Sequence, residues 1–167
     1  CKNARFLTDT RLEVGDNSTV LYGEILVPGR IHHSPDEYFG FDVYSACVRA
    51  FNKQGKELFC EKFVIDPKQQ DLQQLGMLQG FEVYGNVVLL TPKEKADAIF
   101  EQIDAKFNMK EDLVSGVSRL PNDAGLVFKV LGKEVKAVRE RIHEFWRVVR
   151  KEVRGADLPD PFLWRPY

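Results

Sequence analysis

Two adjacent histidines, His32 and His33, lie close along the chain to Asp36 and Glu37, with Cys47 further on. Imidazole, carboxylate and thiol are donor types that suit nickel, zinc or copper. Successive side chains of an extended segment diverge, so His32 and His33 make poor co-ligands of one ion. No CxxC, HxxxH or HExxH spacing occurs. The segment therefore reads as a solvated polar loop, with His32 and His33 kept as weak metal candidates. Cys47 and Cys60 fall on neighbouring strands of a predicted hairpin and can approach each other, although buried, inert thiols are the simpler expectation. His143 sits among charges on the polar side of a helix and reads as an aid to solubility. No Gly-rich phosphate loop, nucleophile elbow or hydrolase triad order is found. On chemistry alone the chain is a binding module. A metal-binding protein or enzyme built on His32, His33 and Cys47 is the alternative.

Composition narrows the class. The 167 residues suffice for one domain with a proper core. The formal net charge of -1 offers no global attraction to nucleic acid or to an anionic membrane, and neither is expected as a partner. No run approaches the roughly 18 apolar residues of a membrane helix, and no signal-peptide pattern occurs. Three cysteines, Cys1, Cys47 and Cys60, are too few and too irregular for a disulfide framework, so a reducing cytoplasm is the expected setting. The chain opens on Cys and enters a strand almost at once. That predicts a fragment or processed chain, with strand edges left unpaired.

The elements that must position these residues are legible from periodicity. Strands are predicted over 5–14, 19–27, 38–52, 56–66, 81–90, 113–120 and 125–131. Asn52-Lys53-Gln54-Gly55 joins two of them as a hairpin. Residues 68–79 are Gln-rich and remain open between a short helix and an irregular loop. Thr91-Pro92-Lys93-Glu94 predicts a helix start, with Thr91 as cap and a stripe of Ala96, Ile99, Phe100, Ile103 and Phe107 running to Asn108. Pro121-Asn122-Asp123 predicts a turn. After Gly132 a long helix carries Val135, Val138, Ile142, Phe145, Val149 and Val153 on one stripe, with Trp146 widening it as core. Its opposite face carries Arg139, Arg141, Arg147, Arg150 and Lys151. Glu140, Glu144 and Glu152 interleave there, which predicts intrahelical ion pairs and argues against an RNA-binding face.

The fold class that follows is α+β and β-rich, with antiparallel strands layered against two amphipathic helices in the C-terminal half. The organisation is a single unit over 1–167. It comprises a β-rich part (1–80), a β-α-β-β-α part (81–155) and a proline-rich tail (156–167) laid along the surface by Leu158, Phe162, Trp164 and Tyr167.

An ordered set of segments then carries a family resemblance. It runs from Ile25-Leu26-Val27-Pro28-Gly29-Arg30 to Glu37-Tyr38-Phe39-Gly40-Phe41, and on to Gly80-Phe81 with Val83 and Gly85. Ser118-Arg119-Leu120-Pro121, Gly125-Leu126-Val127 and Val130-Leu131-Gly132 follow, then Trp146 with Arg150, and finally Trp164-Arg165. Over essentially the whole chain this resembles the urease accessory protein UreD (UreH) family, whose members are longer, and it looks like the C-terminal larger part of one. Between Arg30 and Glu37 the family usually has a shorter link than the Ile31–Asp36 segment here. The resemblance implies a mostly β fold with helices near the C-terminus. It also implies a non-enzymatic maturation factor that binds urease apoprotein, UreF and the GTPase UreG. Such a factor assists nickel delivery, with nickel passing transiently through the interior and no cofactor tightly bound. Arg30, Glu37 and Arg119 are the residues it offers for the nickel path or for partner contact; a buried Arg30–Glu37 pair holding the loop is the structural alternative.

Overall fold

The computed structural model describes residues 2–30, 34–108 and 112–159. His32, His33, Cys1 and the tail residues Phe162, Trp164 and Tyr167 lie outside them. Among the described residues, eight strands and two helices form three layers. Strands β1 (Arg5–Val14), β3 (Val43–Asn52) and β4 (Glu57–Ile65) make a three-stranded sheet in the order β1-β3-β4. Strands β2 (Val20–Leu26), β5 (Val83–Leu90), β8 (Gly125–Gly132), β7 (Leu113–Arg119) and β6 (Lys106–Asn108) make a five-stranded sheet in that order. Helices α1 (Lys93–Phe100) and α2 (Val135–Arg154) cover the far face of the larger sheet. Pairing is antiparallel except between β1 and β3, which run parallel because the intervening β2 belongs to the other sheet.

The central sheet is buried on both faces, and β5 (VYGNVVLL) shows it by being covered along nearly its whole length. Its helix side carries Val83, Val87 and Leu89, joined by Leu126, Phe128 and Val130 of β8. Against these pack Ala96 and Ile99 of α1 and Val138, Phe145 and Val149 of α2. Each such Val, Leu, Ile or Phe side chain withdrawn from water contributes about 1.5–3 kcal/mol. Phe145 stacks on Phe128 with ring centroids 4.6 Å apart and planes 6° from parallel. The helix comes this close because β5 has glycine at position 85. A Cβ there would stand 2.8 Å from Ile142 Cδ1 and 3.0 Å from Val138 Cγ1. Gly155, with φ of 62°, ends α2 by donating its N–H to the Lys151 carbonyl.

Several local expectations are corrected. The segment 38–42 is not strand. A 3-10 turn (Pro35–Glu37) precedes it, and Phe39, at φ 44°, donates its N–H to the Pro28 carbonyl at 2.6 Å. Residues 68–79 form turns, whose Leu72 and Leu78 drop into the core. Thr91 does not cap α1: its hydroxyl shares a 2.8 Å hydrogen bond with that of Thr19, and Pro92 occupies the cap. Helix α1 stops at Phe100 rather than near Asn108. The Asp104 carbonyl turns to Arg141, and residues 106–108 pair with β7, so the sheet edge takes up backbone groups that helix hydrogen bonds would otherwise hold. Phe107 is consequently 84% exposed instead of lying on a helix stripe. The C-terminal section thus reads β-α-β-β-β-α, one strand more than expected.

Arg141 is the main correction on α2. It is buried rather than on the polar face. Its Nε donates to Ser115 Oγ at 2.9 Å, Nη1 to Glu144 Oε2 at 2.7 Å and Nη2 to the Asp104 carbonyl at 2.5 Å. The expected intrahelical pairing survives in Arg141–Glu144 and, at 3.9 Å, in Lys136–Glu140. Among the described residues no helix is long and apolar enough to cross a membrane.

Candidate functional site

The space between the two sheets is divided by a belt of polar side chains. Antiparallel register places Glu24 of β2 opposite Asn86 of β5, and Asn86 opposite Lys129 of β8, all facing the smaller sheet. From that sheet, Glu61 of β4 reaches across. It accepts from Asn86 Nδ2 at 2.8 Å and forms a close ion pair with Lys129. At the other end the Tyr22 hydroxyl donates to Glu24 Oε1 at 2.8 Å and shares a 3.2 Å hydrogen bond with Thr10 of β1. The belt therefore runs from Thr10 through Tyr22, Glu24, Asn86 and Glu61 to Lys129.

Apolar clusters bound it on both sides. One holds Val14, Val48, Phe59, Val88 and Leu90; the other holds Ile65 and Phe39 with Phe63, Tyr84 and Leu131. Such surroundings make each unpaired polar atom costly. Even so, Asn86 Oδ1 and Glu24 Oε2 are buried with no hydrogen-bond partner, as is Thr8 Oγ1 of β1. Asn86 is only 2% exposed. Burial raises the hydroxyl pKa of Tyr22 and of Tyr84. Burial also acts to lower that of Lys129, but its hydrogen bond to Glu61 and the charge there outweigh it and draw it upward. The ammonium stands 5.9 Å from the Tyr84 ring centre, where the ring face favours the cation. The belt thus offers several oxygen acceptors, two of them on directly opposed residues, and a cation at one end.

The residues singled out from sequence are placed as follows. Arg30 and Glu37 meet: Arg30 Nε donates to Glu37 Oε2 at 3.1 Å and Nη2 to Oε1 at 2.7 Å. Glu37 is 11% exposed and Arg30 65%, so the pair pins a loop rather than sitting deep in the core. Gly29, at φ 119°, lies against the same loop, where a Cβ would meet the Glu37 carbonyl oxygen at 2.2 Å. Arg119 is elsewhere, at the opposite end of the large sheet. It pairs with Asp97 and with Glu101 at 3.9 Å, its guanidinium 4.2 Å over the Phe100 ring, so it ties β7 to α1. Trp146 is half-buried, not core, and lines a surface groove with Leu21, Ile25, Ile142 and His143. Among the described residues no group of three or more His, Cys, Asp or Glu is arranged to hold a metal ion.

Sequence reasoning missed the belt, although its members left a signal. Glu24, Asn86 and Lys129 are each the one charged or amide residue of an apolar strand, and Glu61 falls between Phe59 and Phe63 on the face that alternation assigns to the interior.

The frame is a strand-rich sandwich backed by two helices, with a polar belt between its sheets. The comparison with known proteins is specific. The UreD urease accessory protein family model matches residues 1–165. The chain is 49% identical over 164 residues to the urease accessory protein UreD of Yersinia pseudotuberculosis, covering 98% of this chain and 51% of that protein. It is 46% identical over 170 residues to UreD of Yersinia enterocolitica, at 98% and 52% coverage. To UreD 2 of Brucella suis it is 44% identical over 163 residues, at 98% and 54%. The chain belongs to the UreD urease accessory protein family. It spans about half the length of the curated relatives it matches.

Proposed function

We propose that this chain serves urease maturation as a non-enzymatic scaffold. In this reading it binds urease apoprotein together with UreF and UreG in the cytoplasm, and helps nickel reach the urease active site. Nickel is cargo here and no cofactor is tightly held. The observation that carries the reading is the inter-sheet belt, with Glu24 Oε2 and Asn86 Oδ1 buried and unpaired on opposed positions. Uncommitted oxygen donors suit a divalent cation in transit. They favour the charge but, lacking thiolate or imidazole, hold a borderline metal weakly enough to release it. Arg30, Glu37 and Arg119 lie outside the belt and are proposed as contact or loop-holding residues for the partners.

The test uses the full-length protein, co-purified with urease apoenzyme, UreF and UreG, followed by nickel-dependent urease activation. Glu24→Gln keeps the Tyr22 hydrogen bond and removes the charge. The scaffold-and-route reading expects this variant to co-purify normally yet activate urease several-fold less at limiting nickel. Normal activation overturns the route. Failure of the unaltered protein to co-purify overturns the scaffold.

A further inference from the structure

The outer face of the three-stranded sheet carries a feature separate from the inter-sheet belt. Cys47 of β3 and Cys60 of β4 are both free thiols on that face. The register sets Cys47 opposite Lys62 and Cys60 opposite Arg49, so the two sulfurs occupy diagonal positions of an antiparallel pair, each across from a cation. The Cys47 sulfur is near enough to Cys60 to help raise the pKa of its thiol. Both line a shallow cleft of about 440 Å³ together with Thr8, Asp9 and Ser45. Cys60 is exposed and Cys47 half-buried. This corrects the expectation of two buried, inert thiols.

We propose that Cys47 and Cys60 form a reversible dithiol–disulfide pair that reacts with low-molecular-weight disulfides. Cys60, the exposed sulfur, attacks one sulfur of oxidised glutathione as its thiolate and expels glutathione thiolate, leaving a mixed disulfide on Cys60. Cys47 then attacks the Cys60 sulfur and expels the second glutathione. The protein loses two electrons and two protons; the oxidised glutathione gains both and leaves as two thiols. Diagonal positions of an antiparallel pair generally stand about 7–8 Å apart at Cα, slightly beyond a relaxed disulfide. Closure therefore draws β4 toward β3. Strand β4 can follow because it is an edge strand with one neighbour, and the β3–β4 ladder already shifts register between Ala50 and Phe51. A bond formed under such strain is one that thiols reopen readily. Desolvation and the neighbouring Cys47 sulfur hold the Cys60 thiol above its ordinary range, with Arg49 acting the other way, so less of it is thiolate than of a free cysteine and the first attack is slowed.

The test equilibrates the purified chain in mixtures of reduced and oxidised glutathione, quenches with an alkylating agent and maps the peptides. The expected result is joint loss of alkylation at Cys47 and Cys60, with a linked peptide two hydrogens lighter, and recovery of both on adding reduced glutathione. Cys47→Ser should trap glutathione on Cys60, and Cys60→Ser should leave Cys47 slow to react; circular dichroism checks that both variants fold. Persistent alkylation of both thiols overturns the proposal. So does a stable mixed disulfide on Cys60 in the unaltered chain, or a bridge to Cys1 instead.

Discussion

Gly29 and Arg30 are adjacent in sequence, yet they engage Glu37 in different ways. Gly29 combines a φ of 119° with a backbone contact that leaves no room for a Cβ. Gly29→Ala therefore adds both backbone strain and a clash with the Glu37 carbonyl. A loss of about 2–4 kcal/mol in denaturant unfolding is expected. Arg30 acts through its ion pair, and with its side chain largely in water that pair adds little to stability. Arg30→Ala and Glu37→Ala are accordingly expected to fold, with unfolding midpoints near the parent for Arg30→Ala. If the loop contacts a partner or the cargo, both lower urease activation in the coupled assay. Full activation by both variants would remove the loop from the functional surface.

At the scale of elements, the seating of α2 depends on Arg141 as much as on its apolar stripe. The guanidinium links β7 through Ser115, the turn after α1 through the Asp104 carbonyl, and Glu144 on its own helix. Replacing Arg141 with Met keeps its bulk but strands those acceptors. A cost of about 2–3 kcal/mol is expected. The Glu144 carboxyl is pushed up by partial burial but held below its ordinary range by hydrogen bonds from Arg141 and Lys106. A depressed carboxyl binds its proton less readily folded than unfolded. Its stabilisation is thus present above the unfolded glutamate value, about pH 4.3, and is lost as pH falls through the folded one. Urea midpoints of Arg141→Met against pH should show a shallower acid decline than those of the parent. An unchanged slope would assign the acid sensitivity to other carboxylates. Helix α1 shows the complementary lesson. Its stripe was legible as far as Phe100, but Ile103 and Phe107 continued the pattern past the real end, because competition from the edge of β7 is invisible to local periodicity.

Across the whole molecule, the inter-sheet layer is built against maximal stability. Asn86 sits in a nearly sealed interior with one oxygen unsatisfied. Filling that position with a hydrocarbon of similar size removes the penalty, although Glu61 keeps only Lys129 as partner. Asn86→Leu is therefore expected to be neutral or stabilising in thermal unfolding while lowering urease activation in the full-length protein. A strongly destabilised variant would mean that the belt is a structural network and not a compromise made for transport. That belt was half legible. Each lone polar residue stood out within its strand, and Glu61 was recognisable between Phe59 and Phe63. That the four residues share one level was not, because it requires two sheet registers and a sheet-on-sheet packing.

What the sequence by itself determined is everything that local periodicity and an ordered motif set can encode. These are the strand-rich class with two helices, the hairpin leading into α2, the α2 stripe and the family. Side-chain alternation and the 3.6-residue helical repeat are properties of neighbouring residues, so they survive without a partner in view. Only the tertiary structure decided that β1 pairs parallel to β3, that Arg141 turns inward, that residues 106–108 join a sheet, and that Glu24, Asn86, Glu61 and Lys129 meet. Each of those outcomes pairs residues distant in sequence, whose backbone donors, acceptors and charges must be satisfied once water is excluded, and that requirement exists only after the layers close.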